Sequence, residues 1–482
     1  MSAVLLARPR PTAVVGRSGR SLAAAMVLAG CVALLAALAG HGVRSTVGGQ
    51  AAVDEPQYLM TAASLWHDHD LDISDELAGG QWRAYHQSAL PQQTRPLADG
   101  RALSPHDPLL AVLLAAPVGL FGLAGAKVAL ALVSGLTAAL TVWTAVRRFA
   151  VPVTLAATGS ALAFASPPLV VYAQQVYPEL PAALAALVAV AAVSGRLGRA
   201  GVVTVVLAVT ALPWLGVKYA LVAAVLAAIA LSRVPGARRP WLAAALAASG
   251  VVYLAVHRII WGGWTVYATG DHFSSTGELS VIGVTPDYVG RSLRLVALMV
   301  DRGFGLAAWA PAWLLLVPAL GAAIATRALA RRHAVLVLPV VAGWVTATWV
   351  ALTMHGVWWP GRQVVVVLPI ALLLVLGLLT RCGRVVTAAA GLAAAAGVAT
   401  YAALIASGDA GRLTWVSGRQ NLTAAPLFDL LQPIWPDYRA LSSPGPHPGQ
   451  WVGHLTWSIV LLAVLIGAVV RRRRRTTPEV QP

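Results

Sequence analysis

Residues 21–40 read SLAAAMVLAGCVALLAALAG, and the next conspicuous polar stretch is Asp54-Glu55-Pro56-Gln57-Tyr58-Leu59. The first is an uninterrupted apolar run of about 20 residues, the length a helix needs to cross a bilayer core. The second sets two carboxylates at the mouth of that helix. Similar apolar runs recur to the end of the chain. With 482 residues, 58% hydrophobic and 11% charged, and a mean hydropathy of +0.73, the chain is too apolar for a soluble protein of its size. It reads as an all-α integral membrane protein.

The net charge of +17 would suit a nucleic-acid binder. Its distribution argues against one, because the arginines sit in short clusters between apolar runs, as in the positive-inside pattern. Arg8, Arg10, Arg17 and Arg20 hold the first span's start inside. About twelve spans follow from this reading, near 21–40, 126–146, 153–172, 179–195, 200–213, 215–231, 241–260, 304–326, 334–354, 364–380, 385–405 and 453–470. The stretch 108–123 is read as a helix lying in the outer interface, since a span there would place Arg147-Arg148 outside. On this topology 21 of the 35 basic residues lie inside, but of the 18 acids only Glu479 does. The acids were not used to build the topology, so they support it independently.

The expected organisation is a cytoplasmic N-terminus (1–20), a transmembrane core (21–405) with a long outer loop (41–107), a second outer loop (406–452), a last span (453–470) and a basic cytoplasmic tail (471–482). The first span is read as an uncleaved anchor, since no convincing cleavage site precedes Asp54. Cys31 and Cys382 fall in the first span and an inner loop, which supports no disulfide framework.

The polar residues that could carry chemistry therefore face outward. Asp54 and Glu55 suit the start of a helix, with Asp54 as cap and Pro56 in the first turn, and with Tyr58, Leu59, Ala62, Leu65 and Trp66 forming an apolar face for the membrane surface. A capping carboxylate can also act as a base, which transfer of a sugar to a hydroxyl requires. His106 and Asp107 precede Pro108 at the start of the interfacial helix, where they could cap it or face the same cavity as Asp54. Glu179 stands at an outer turn, where an acid at a membrane boundary marks a candidate site. Lys218, one of only two lysines, follows Pro213-Trp214-Leu215-Gly216-Val217 and could snorkel or meet a lipid phosphate. Arg302 and Arg362, beside glycines in Asp301-Arg302-Gly303 and Pro360-Gly361-Arg362, could each grip a phosphate through a guanidinium. Trp358 and Trp359 read as aromatic-belt anchors.

The segment His67-Asp68-His69-Asp70-Leu71-Asp72 with Asp75 and Glu76 invites a metal reading. Aligned as a calcium loop, however, it puts Ile73 at the turn glycine and Gly79 at the bidentate acid. A solvated acidic loop is the expectation. The triplet Asn421-Leu422-Thr423 matches a glycosylation sequon, a pattern common by chance.

Taken together, these motifs resemble the GT-C superfamily of membrane glycosyltransferases, in the branch holding protein O-mannosyltransferases and the lipid A aminoarabinose transferase. The resemblance spans about residues 20–380. It lies in the acidic pair Asp54-Glu55 after the first span and in His106-Asp107-Pro108, where the family has His-Pro-Pro. Glu179, the Lys218 turn and Pro360-Gly361-Arg362 complete it. What it implies is a GT-C-like fold and inverting transfer of a hexose or pentose from a polyprenyl-phosphate donor to a lipid, glycan or protein acceptor. The transfer would occur at the outer face of the cytoplasmic membrane. On that analogy Asp54 is the base, with Glu55 beside it. Lys218 and Arg362 hold the donor phosphate; beside the analogy, Arg302 is read as a further phosphate ligand, and His106, Asp107 and Glu179 as orienting the acceptor or a divalent cation.

A transporter or flippase of lipid-linked sugars is the competing expectation. Major-facilitator carriers also have twelve spans, but as two similar halves joined by a long inner loop. Here the inner loop after the sixth span is short (232–240), and the longest loop is the first outer one.

Overall fold

The computed structural model describes residues 15–90, 93–270, 287–351, 354–416, 425–441 and 446–476, so the sequon at Asn421 lies outside the described residues. Helix is the regular structure throughout; the described β-pairing consists of isolated bridges such as Asp72 with Leu103. Among the described residues, seven helices are long and apolar enough to cross a membrane, Gly19–Ala39, Gly236–Ile260, Arg384–Asp409 and Pro448–Arg474 among them. Shorter apolar helices fill several of the other expected spans, Glu179–Val193 and Arg199–Leu215 among them. The chain is a multi-pass, all-α membrane protein.

Helices α1 (Val15–Ala39), α2 (Glu55–His67), α3 (Ser74–Gly79) and α4 (Leu109–Phe149) build the first half of the core. α1 crosses α4 at Gly30 and Gly135, where a Cβ on either glycine would stand 3.0 Å from the other's carbonyl oxygen. Without a hydrophobic drive between helices in lipid, such close backbone approach is what dispersion packing needs. α4 is one run of 41 residues broken at Gly122 (φ 58, ψ −145). The break divides the segment expected at the interface from the second span, and glycine adopts that backbone at little steric cost.

Next come α5 (Val153–Phe164), α6 (Leu169–Tyr172), α7 (Glu179–Val193), α8 (Arg199–Leu215), α9 (Ala220–Arg233) and α10 (Arg239–Ile260). α7 is largely buried, packed against α4, α8, α9 and the 3-10 turn Arg362–Val367. Later spans are interrupted. The expected helix 304–326 is divided into Leu306–Trp309, Pro311–Leu315 and Leu316–Ile324, with Pro311 opening the middle piece.

Several local expectations are revised. The expected turn at Lys218 is present, as the 3-10 turn Val217–Tyr219 between α8 and α9, and only the bound of the sixth span, set at 215, moves to α9. α2 does not lie on the membrane by one face, because Glu55 through Ala62 and Ser64 are all buried, mainly against α4. Trp359 is not a belt anchor; it is fully buried against Trp309 and Trp415, with ring centroids at 4.8 and 5.3 Å. Neither Asp54 nor Asp107 makes a side-chain cap for the helix it precedes, since both carboxylates are engaged elsewhere.

Candidate active site

Arg362 forms the centre of a buried charge network. The turn that delivers it needs Gly361, whose φ is +82 and whose Cβ, if present, would lie 2.9 Å from Pro168 and 3.0 Å from Leu306. Arg362 Nη2 donates to Asp54 Oδ2 at 2.7 Å, and its Nε donates to Glu179 Oε1 at 2.7 Å. Lys218 Nζ reaches that same Glu179 oxygen at 2.7 Å. The guanidinium lies over the Tyr177 ring at 4.2 Å and the Trp358 ring at 5.2 Å, so cation–π attraction adds to the ion pairs.

His106 closes the other side of Asp54. Its Nε2 is 3.9 Å from Asp54 Oδ1 and 3.2 Å from Gln93 Oε1, and its ring stacks on Tyr58 at 4.8 Å. Gln93 in turn donates to the Val53 carbonyl at 3.0 Å. Asp54, His106, Glu179, Lys218 and Arg362 thus meet from five separate stretches of chain. Two of the acids sit at the N-terminal ends of α2 and α7, where the helix dipoles favour negative charge.

Burial alone would push the Asp54 carboxyl up. The charges of Arg362, His106 and Lys218 outweigh it and hold Asp54 below the usual carboxylate range. Burial also lowers His106, against the pull of Asp54, which favours the neutral ring. Arg362 spends two of its five N–H donors on the acids and Lys218 one of three, leaving donors for an anionic ligand. Asp54 and Glu179 already face cations. The cluster of three ligating side chains found among the described residues is Asp68, Asp75 and Glu76, away from this network.

The remaining candidates lie around this network in different ways. Glu55 is fully buried and accepts backbone N–H groups from Ala52 and Val176, each at 2.8 Å. Burial raises its carboxyl, only partly offset by the charge on Lys127 and those amides. Asp107 accepts from Val217 N at 2.8 Å and Tyr253 Oη at 2.8 Å, with His257 Nε2 at 3.3 Å. It therefore ties the loop bearing His106 to the turn bearing Lys218. Arg302 is turned toward the segment that joins α-helices Pro426–Leu431 and Tyr438–Leu441, with Nε 3.3 Å from the Trp435 carbonyl and Nη1 4.0 Å from Asp437. Its neighbour Asp301 accepts from Gly303 N and Tyr438 N, and His355 Nε2 lies 3.2 Å from it.

Sequence reasoning overlooked Lys127, Tyr177, Gln93, Tyr253 and His257. Lys127 carried a usable signal: it is the first of two lysines and falls inside an expected span, yet it is buried, with Nζ on the His41 carbonyl at 3.2 Å. The others had none, because ring stacking and amide contacts depend on elements distant in sequence.

No family model matches the chain, and no curated protein matches it. Among solved structures, the chain is similar to ArnT from Cupriavidus metallidurans bound to undecaprenyl phosphate, at 18% identity and a TM-score of 0.47, covering 97% of this chain and 82% of that one. It is also similar to ArnT from the same organism in the apo state, at 18% identity and a TM-score of 0.48, covering 96% and 77%.

Proposed function

We propose that this protein is a GT-C-type membrane glycosyltransferase that moves a sugar from a polyprenyl-phosphate donor to a hydroxyl acceptor at the outer face of the cytoplasmic membrane. The observation that carries this reading is the shared grip of Arg362 on Asp54 and Glu179, with Lys218 on the same Glu179 oxygen. It combines a carboxylate able to take a proton with two cations able to hold a phosphate. The acceptor is a lipid, glycan or protein, and the sugar a hexose or pentose.

In the proposed reaction the donor phosphate binds the free donors of Lys218 and Arg362. Asp54 takes the proton from the acceptor hydroxyl, whose oxygen attacks the anomeric carbon as the bond to the phosphate breaks. Inversion at that carbon follows from a single displacement. Polyprenyl phosphate leaves as an anion stabilised by the two cations. A base held low by an arginine is weak. The phosphate's negative charge, bound beside the two cations, offsets their pull on Asp54, so donor binding raises Asp54 and strengthens the base. Glu179 orients the two cations, and His106 flanks Asp54 on the acceptor side. Glu55 braces the start of α2, Asp107 sets the Lys218 turn, and Arg302 borders the outer loop.

Purified protein in liposomes, given radiolabelled polyprenyl-phosphate sugars and cell-envelope acceptors, should yield labelled acceptor and free polyprenyl phosphate. Movement of intact donor between leaflets with no transfer would favour the flippase.

A further inference from the structure

The acidic segment after α2 sorts its carboxylates into two groups. Asp70 Oδ1 accepts from Ser64 Oγ and Asp72 N, both at 2.9 Å, while Asp72 Oδ1 accepts from Ala102 N at 2.8 Å and Ser74 N at 3.1 Å. Those two acids shape the turn. Asp68, Asp75 and Glu76 do not share that role; their carboxylate oxygens converge to within 4.8 Å of one another. Asp68 and Asp75 are exposed, but Glu76 is fully buried. Among the described residues no donor group reaches either Glu76 oxygen and the adjoining side chain is the Asp75 carboxyl, so the pair needs a shared proton or a cation between them. Burial and the adjoining Asp75 carboxyl push Glu76 up to about 8.

We propose that Asp68, Asp75 and Glu76 bind a divalent cation of the calcium class, which fastens the C-terminal end of α2 to α3. Three carboxylates with no nitrogen or sulfur ligand suit a hard cation, and the open side toward solvent leaves room for water ligands. The grouping is not that of a calcium loop, in which Ile73 and Gly79 occupy the wrong positions; Asp70 and Asp72 are used by the turn instead. α2 is 13 residues long, so the ion would lie about 20 Å from Asp54, a structural rather than a reacting position. The proposal stands apart from the transfer reaction and is tested without it.

The test titrates Ca2+ and, separately, Mg2+ into EDTA-treated full-length protein in detergent, reading heat of binding and thermal unfolding. One saturable Ca2+ site is expected, with Kd on the order of 10⁻⁴–10⁻³ M, together with a Ca2+-dependent rise in Tm. Asp68→Asn and Asp75→Asn, at exposed positions that fold readily, should each weaken binding by at least about tenfold. Glu76→Gln should be at least as stable as wild type in EDTA and should lose the Ca2+-dependent rise. No saturable binding in the millimolar range overturns the proposal. So does binding that survives Asp68→Asn and Asp75→Asn unchanged, which would place the ion elsewhere.

Discussion

Arg362 and Glu179 meet at 2.7 Å in the interior of the helix bundle, with the Glu179 side chain fully enclosed. The other arm of the guanidinium holds Asp54. One side chain therefore joins the start of α2 to the start of α7. Arg362→Ala should cost about 3–5 kcal/mol, because it strips a buried carboxylate of a partner. Arg362→Lys should fold but transfer sugar about 100-fold more slowly, since a point charge cannot span both acids. Thermal unfolding in detergent and initial rates separate the two effects.

Much of this arrangement was legible in advance, and for physical reasons. Membrane spans announce themselves by length and hydropathy. Breaks at Gly122 and at the Lys218 turn were foreshadowed by ambiguous apolar runs. The acids and cations of the site stood out because charge is rare in this chain. What sequence could not convey was how the charges pair. Asp54 and Glu55 are adjacent, and both suit a helix start, yet one faces Arg362 and the other is sealed by two backbone amides. Arg302 and Arg362 carry similar local motifs, and only the fold sends them to different partners.

Glu55→Gln tests that division. The amide turns a donor toward a backbone N–H, so stability should fall by about 1–3 kcal/mol. Folded variant should retain transfer within a few-fold of wild type. A large loss in kcat with unchanged Tm would return Glu55 to the chemistry.

The pH profile follows from the directions at Asp54 and His106. Both groups are lowered, so the carboxylate and the neutral imidazole persist as pH falls through the ordinary histidine range. The kcat/KM for transfer should stay flat there, with its acid limb lying lower. In Arg362→Gln the burial of Asp54 is no longer outweighed. The limb should then move to higher pH while residual activity remains measurable.

Topology has its own test. In a Cys31→Ser, Cys382→Ser background, a cysteine replacing Asp99 in the first outer loop should react with an impermeant maleimide on intact cells. One replacing Arg239 should react only after permeabilisation. The reverse pattern would place Asp54 inside and remove the outer-face reading.

The most direct measurement is sugar transfer by Asp54→Asn in proteoliposomes supplied with polyprenyl-phosphate donors. Asparagine preserves size and can still accept from Arg362, so the variant should fold. Its transfer rate should fall by about 10²–10⁴-fold, with donor binding retained. Transfer at the wild-type rate by folded Asp54→Asn would contradict the assignment of Asp54 as the base.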